Sequence, residues 1–429
     1  MKQHRILIAI FAVLSSHLIF IPSAHAAPCV SGKSTFTGNG SIGLSNVVYT
    51  VESFTAVVAG CTWTVPAGVV KVDALIIGGG GGGGSWVGAG GGAGAMIDTT
   101  SLTVSPGTSI SITVGDGGVG SVTNDVSNAG YQSGGANGSS SIFNSIAALG
   151  GGVGGSWNQA AGTNTGSGGG AAGNTGGTAG TRANADFGNN GGSGNPDWTY
   201  GYPTGGGGGA GGAGGGVSIT TSVRGFSGNG GAGKASTITG TSNTYAGGGG
   251  GGCHGNGTYP CSPGTGGTGG GGGGDGWIAS DTVVNGGAGS ANTGGGGGGS
   301  GNPYRNNGSA SYGGKGGSGV VIVRYVSNLI LNPALGSGRV NATTATYRAA
   351  TAFTINAPVN GKATFYERNK VISTCKNKTA VAGGTITCTW KPSVRGKVSL
   401  RVDYYQTGSS TLLERSNFEV WVNNRTGSR

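Results

Sequence analysis

Histidine, glutamate and long aliphatic side chains are what this 429-residue chain has least of, in the places where an enzyme or an oily core would need them. Beyond residue 26 the sole histidine is His254, and glutamate occurs only at Glu52, Glu367, Glu414 and Glu419. A single imidazole nearly removes histidine-dependent acid–base and triad chemistry. The aspartates are scattered singly, with no tight pair of the kind that glycoside hydrolysis uses. No paired C-x-x-C spacing or calcium loop occurs, so neither a metal nor another cofactor is expected. The chain therefore reads as non-enzymatic. Proline is also scarce, at 12 residues, and glycine does not recur strictly every third position, which together exclude a collagen helix. From Gly150 to Gly319 long aliphatics are almost missing, so that stretch cannot bury an ordinary core.

Charge is sparse too, at 9% of residues, and unevenly placed. Residues 327–429 hold 14 Lys/Arg against 4 Asp/Glu, whereas 27–326 hold 8 against 9, so the basic excess belongs to the C-terminal part. Two readings stand for that basic part: solvated strand faces, or contact with an anionic envelope polymer. The start of the chain looks like a signal peptide over 1–26. Lys2, His4 and Arg5 precede an apolar stretch, Ile6 to Ile21, and Ala24-His25-Ala26 fits a cleavage site. Export is expected, with the mature chain beginning near Ala27. No second apolar segment is long enough to span a membrane, and export without a recognition motif argues against nucleic acid as partner. Six cysteines in an oxidising compartment pair by default. Spacing favours Cys253 with Cys261, Cys375 with Cys388, and the remaining Cys29 with Cys61, out of 15 formal connectivities.

What the chain has in excess is glycine, 104 residues in all and more than a third of the stretch from Gly78 to Gly319. Ordering glycine costs roughly 1–2 kcal/mol per residue with no side chain to offset it. Disorder is one outcome. The other is an extended left-handed helix of about three residues per turn, which has no internal hydrogen bonds. Its N–H and C=O groups must then bond to neighbouring helices, and an absence of side chains lets many pack side by side. Such inserts are predicted at 78–100 and 150–319, held by flanking strands. Val69 to Ile77, Leu102 to Val104, Ser109 to Val114 and Val320 to Tyr325 all read as strands. The glycine-rich domain is thus placed at 27–326. Residues 327–429 differ, with clear alternation in Phe353-x-Ile355, Ile386-x-Cys388-x-Trp390 and Val398-x-Leu400-x-Val402-x-Tyr404. Short strands with a tryptophan beside a cysteine predict an immunoglobulin-like β-sandwich there. The Cys375–Cys388 spacing is too short for the usual bridge between sheets, so it is expected to tie a hairpin.

Val65-Pro66-Ala67-Gly68-Val69, the run Val72 to Gly84, Leu102 to Gly118 and Gly316 to Tyr325 resemble a bacterial glycine-rich domain of secreted and surface proteins, over roughly Thr35 to Tyr325. The style is similar to the extracellular glycine-rich domain of anaplastic lymphoma kinase receptors. Glycine-rich phage tail-tip adhesins share only the lattice logic. The resemblance implies an all-β, jelly-roll-like sheet carrying inserted polyglycine II helices. Lys362 to Tyr366 and Thr387 to Pro392 resemble Ig-like repeats of bacterial surface proteins. Neither resemblance carries catalytic residues.

Glycine motifs mean little at this density. Gly228 to Lys234 matches a phosphate loop, but Ala235 stands where a magnesium-binding hydroxyl is needed. The aromatics are more informative, because loops at the ends of a glycine lattice alone can offer large side chains. Asp197, Trp198, Tyr200 and Tyr202 form the densest set, with Trp157 and Tyr304 in other loops. Such rings either cap the lattice or stack on a sugar or protein partner. The expectation is a secreted adhesion or recognition protein whose partner is a cell-surface glycan or protein. The rivals are a self-associating matrix or envelope-coat protein and an ice-binding protein.

Overall fold

The strand that precedes the first glycine stretch pairs with the strand that closes the glycine region. The computed structural model describes residues 27–38, 47–66, 69, 71–123, 132–157, 159–163, 165–173, 179–220, 224–254, 261–275, 285–301, 310–326, 344–356, 360–381, 384–406 and 412–423. The expected signal segment and Tyr304 lie outside them. The described residues are all-β, arranged in several sheets with two short 3-10 turns. Among them no helix is long and apolar enough to cross a membrane.

Nine strands form the framework: β1 (Gly32–Gly38), β2 (Val47–Phe54), β3 (Val58–Thr64), β4 (Lys71–Ile77), β5 (Met96–Thr103), β6 (Ser109–Val114), β7 (Ser141–Phe143), β8 (Ile146–Ala148) and β9 (Val320–Val326). The first sheet has the order β1-β2-β9-β4-β5 and is antiparallel throughout. The second has the order β8-β7-β6-β3. Alternation assigns the two faces of the first sheet. Val72, Ala74, Ile76, Val321, Val323 and Phe54 pack with Trp63, Ile110, Ile112 and Phe143 of the second sheet. Leu75, Ile77, Val320, Ile322 and Val51 face the other way, into a cluster with Ala93, Met96 and Ile238. Strands buried on both faces read as continuous apolar runs, which is why β4 and β9 carry so little polarity. Cys29–Cys61 ties the N-terminal segment to β3.

One carboxylate is sunk in this framework. Glu52 is 1% exposed and accepts hydrogen bonds from Tyr325 Oη (2.7 Å) and Ser31 Oγ (2.9 Å), with Lys33 Nζ at 3.1 Å. Burial alone would raise its pKa, but the bonds from Tyr325, Ser31 and Lys33 outweigh burial and hold it below the ordinary value. A depressed carboxylate stabilises the fold above its ordinary pKa, and that contribution is lost as pH falls through the depressed value. Glu52→Gln should therefore unfold more easily than the parent at neutral pH, yet lose less stability as pH drops below 4.5. Denaturant melts across acid pH check this. An unchanged slope in the variant would assign the acid transition elsewhere.

The sheets continue directly into the glycine segments. Gly78 follows β4, Ala95 precedes β5, Gly115 follows β6 and Gly319 precedes β9. In Gly78–Gly84 every N–H donates to another segment, with a period of three. Gly78, Gly81 and Gly84 donate to Ala95, Gly92 and Ala89 (3.1, 2.8 and 2.9 Å). Gly79 and Gly82 donate to Ser139 and Ala136, and Gly80 and Gly83 to Gly317 and Gly314. These three partners run antiparallel to the segment. Its carbonyls serve three more that run parallel: Gly79 and Gly82 accept from Gly151 and Gly154, Gly80 and Gly83 from Gly118 and Ser121, and Gly81 and Gly84 from Gly297 and Ser300. One glycine segment thus sits inside six neighbours, bonded to each through backbone alone.

That spacing admits nothing larger than hydrogen. A Cβ on Gly81 would come within 3 Å of the carbonyls of Gly151 and Gly152. The Cα–H there points at carbonyl oxygen, a weak contact worth ~0.5–1 kcal/mol that recurs through the lattice. Together with about 0.5–1.5 kcal/mol net per N–H bond, it matches the roughly 1–2 kcal/mol of backbone entropy per residue. The lattice differs in extent from the predicted inserts. β5 already begins at Met96, inside the expected 78–100 insert, and segments from 115–121 and 134–140 join the lattice.

In the C-terminal part, Gly361–Glu367, Gly396–Gln406 and Leu412–Asn423 form one sheet, with Thr344–Thr346 pairing parallel at one edge. Thr351–Asn356 pairs with Thr385–Trp390 as a separate two-stranded sheet. Phe353, Ile355, Phe365, Ile386, Trp390, Leu400 and Tyr404 fill the space between, as their alternation predicts. Cys375 does bond to Cys388, but not within a hairpin. Lys378–Ala380, between them, pairs with Gly361–Glu367 of the larger sheet, so the bridge joins a turn beside that sheet to a strand of the other.

Candidate functional site

At the end of the lattice away from the framework strands β1–β9, the chain must turn between packed segments, and these turns carry the aromatic rings. Ser85-Trp86-Val87 reverses Gly78–Gly84 into the returning segment. Trp86 and Val87 have φ of 49° and 48°, a left-handed conformation that a β-branched residue adopts only under strain. Small hydroxyls hold the turn. Ser85 Oγ lies 2.8 Å from Thr123 Oγ1, the Trp86 N–H donates to Ser311 Oγ (3.1 Å), and Ser311 Oγ lies 3.1 Å from Ser300 Oγ.

Trp157 sits in the next turn, where Ser156 and Gln159 exchange backbone bonds of 2.9 and 3.1 Å. The Gln159 side chain anchors that turn by accepting from the Gly135 N–H (2.9 Å) and donating to the Gly135 carbonyl (3.0 Å). Tyr202 arrives from a third connection, after a 3-10 turn at Trp198–Tyr200. Gly201 and Tyr202 both take positive φ, 77° and 45°. The His254 N–H donates to the Gly201 carbonyl (2.9 Å), next to the Cys253–Cys261 bridge.

These turns meet in a row. Trp86 and Trp157 have ring centroids 6.4 Å apart, Trp157 and Tyr202 meet edge to face at 5.8 Å, and Tyr202 and His254 lie 6.5 Å apart. The first three rings are half-buried, so each packs on its neighbours and still reaches solvent. His254 is buried, at 8% exposure. Of the residues singled out in sequence, Trp157 and Tyr202 come together. Asp197 does not join them: its Oδ1 accepts from the Thr199 N–H (2.9 Å) and caps the 3-10 turn. Trp198 and Tyr200 belong to that turn. Trp86 and His254, which were not among the candidate site residues, complete the row. Their signals were present: Ser85-Trp86-Val87 is the one break between two glycine runs, and His254 adjoins a bridged cysteine.

The row offers aromatic faces and edges with hydroxyl and imidazole groups at its margin. Among the described residues no three His, Cys, Asp or Glu converge to hold a metal ion. Residues 55–326 match the family model described as a glycine-rich domain. The chain belongs to that glycine-rich domain family. The matched span opens just before β3 and closes with β9, so the family covers the second sheet, most of the first and the whole described lattice. No curated protein matches the chain.

Proposed function

We propose that this is a secreted, non-enzymatic recognition protein in which a polyglycine II lattice presents an aromatic tip to a cell-surface glycan. The three-residue period of backbone bonding, with six neighbours around Gly78–Gly84, supports the polyglycine II assignment. A jelly-roll-like framework at 27–326 carries the lattice, and an Ig-like sandwich at 327–429 follows it. Pairing of all six cysteines supports export to an oxidising compartment.

One observation carries the recognition reading. Trp86, Trp157 and Tyr202 come from three separate turns and gather at the end of a rigid backbone array, and the turns of Trp86 and Tyr202 are held at strained dihedrals. Observed strain of this kind clusters at ligand sites. Rings whose rotamers are fixed by one another stack on the apolar faces of a sugar at low entropic cost. Saturable binding to cells and to a glycan panel is expected for the folded protein. A Trp157→Ala/Tyr202→Ala variant should lose at least about tenfold in affinity, roughly 1.4 kcal/mol, while its thermal melt stays cooperative. Unchanged binding by a folded variant would overturn the reading. Self-assembly without binding by either protein would favour the matrix alternative.

A further inference from the structure

We propose that the C-terminal unit carries a second site, a cationic groove that takes an anionic polysaccharide through its carboxylate or phosphate groups. A groove of about 670 Å³ runs between two walls. One wall is the hairpin at Arg368–Lys370 with the turn that ends at Cys375, and the other is Thr389–Val394. Arg368, Lys370 and Lys391 line it and are exposed. The single acidic residue there, Glu367, is already engaged, accepting at Oε1 from Ser393 Oγ (3.1 Å) and the Ser393 N–H (3.4 Å). The lining is therefore net cationic, with hydroxyls of Thr374 and Ser393 beside the charges.

Three further observations make this more than a charged surface. Trp390 lines the groove, is 1% exposed, and its Nε1–H has no acceptor among the described residues. A buried donor left unpaired costs about 1–3 kcal/mol. Arg368 takes φ 47° beside Asn369 at 67°. Asn or Gly would satisfy that two-residue turn without strain, so placing an arginine there sets a planar, bidentate cation on the groove wall at an energetic cost. The walls are also fixed to one another. Cys375–Cys388 crosses between them, and Thr374 Oγ1 donates to the Thr389 carbonyl (3.2 Å). A preformed gap loses little freedom when filled.

The site is independent of the aromatic tip, so its test stands whether or not the tip binds. The full mature chain would be titrated with polygalacturonate, with inorganic polyphosphate and with neutral dextran. Lys370→Ala/Lys391→Ala should weaken binding of an anionic polymer by about tenfold or more. Lys376→Ala/Lys378→Ala, which removes the same charge outside the groove, should change it by less than about twofold. Binding of polygalacturonate alone names carboxylate as the group, binding of polyphosphate alone names phosphate, and binding of both identifies a site read by charge. Equal losses in the two variants would mean bulk attraction, and binding of neither anion, or of dextran equally, would overturn the proposal.

Discussion

Gly81→Ala is expected to destabilise the glycine-rich domain at or above the upper end of the roughly 1–3 kcal/mol usual for overpacking, whereas Gly273→Ala should fall within about ±0.5 kcal/mol of the parent. Both changes add one methyl group to a glycine of the same lattice. At Gly81 the new carbon would press on the carbonyls of Gly151 and Gly152. Those carbonyls cannot rotate away, since the N–H groups in the same peptide planes, those of Gly152 and Val153, donate to the Ser167 carbonyl and to Asn137 Oδ1 (2.8 Å each). Gly81 also donates to Gly92 and accepts from Gly297, so widening one gap strains the segments on either side. At Gly273 nothing lies within 4 Å of the added carbon, and the residue is exposed. Restricting the unfolded chain there could even stabilise by ~0.4–1 kcal/mol. Denaturant unfolding of the two variants beside the parent decides the matter. Equal tolerance of both would mean that the lattice does not pack as described.

The same contrast explains how much of this molecule could be read from its residues. β4 and β9 were legible because Val72 to Ile77 and Val320 to Tyr325 bury both faces, and that leaves a mark in side-chain type. The C-terminal strands were legible through alternation at Phe353, Ile355, Ile386 and Trp390. Glycine leaves no such mark. Nothing about Gly81 in the sequence says that its partners are Gly92, Gly152 and Gly297, because the contact is made by backbone that every residue shares. Segment 115–121 was missed as lattice for a related reason. Asp116 and Val119 interrupt the glycines, yet their side chains reach solvent while their carbonyls keep the three-residue register.

The aromatic site shows the same limit one level higher. Trp157 and Tyr202 could be singled out as large rings among small residues, but which turns share an end of the lattice depends on its threading. The dense run around Trp198 drew attention, while the row forms with Trp86, far away in sequence. Spacing also misjudged Cys375–Cys388. A separation of 13 residues fits a hairpin as well as a crossover, and only the pairing of Lys378–Ala380 with the larger sheet tells them apart.

Backbone amides in Gly78–Gly84 should exchange with solvent at least about a thousandfold more slowly than in an unfolded glycine chain, corresponding to local opening free energies above ~4 kcal/mol. Each of the seven N–H groups is bonded and every residue of the segment is buried. Six neighbours surround it, so freeing one amide requires breaking bonds on several sides, and such opening is cooperative. The segment around Gly211–Gly216 gives the internal comparison. Gly211, Gly214 and Gly215 are bonded too, but the run is half-exposed, so its amides open without disturbing the interior. Protection should therefore fall from the centre of the lattice to its margin, independent of glycine content, which is high throughout. Exchange followed by mass spectrometry on peptides from both segments reads this directly. Fast exchange across Gly78–Gly84 would make the glycine region a flexible spacer, and a flexible spacer could not hold Trp86, Trp157 and Tyr202 in one row. Slow exchange that steepens toward the centre would mean that backbone bonding alone builds a platform stiff enough to fix those rings.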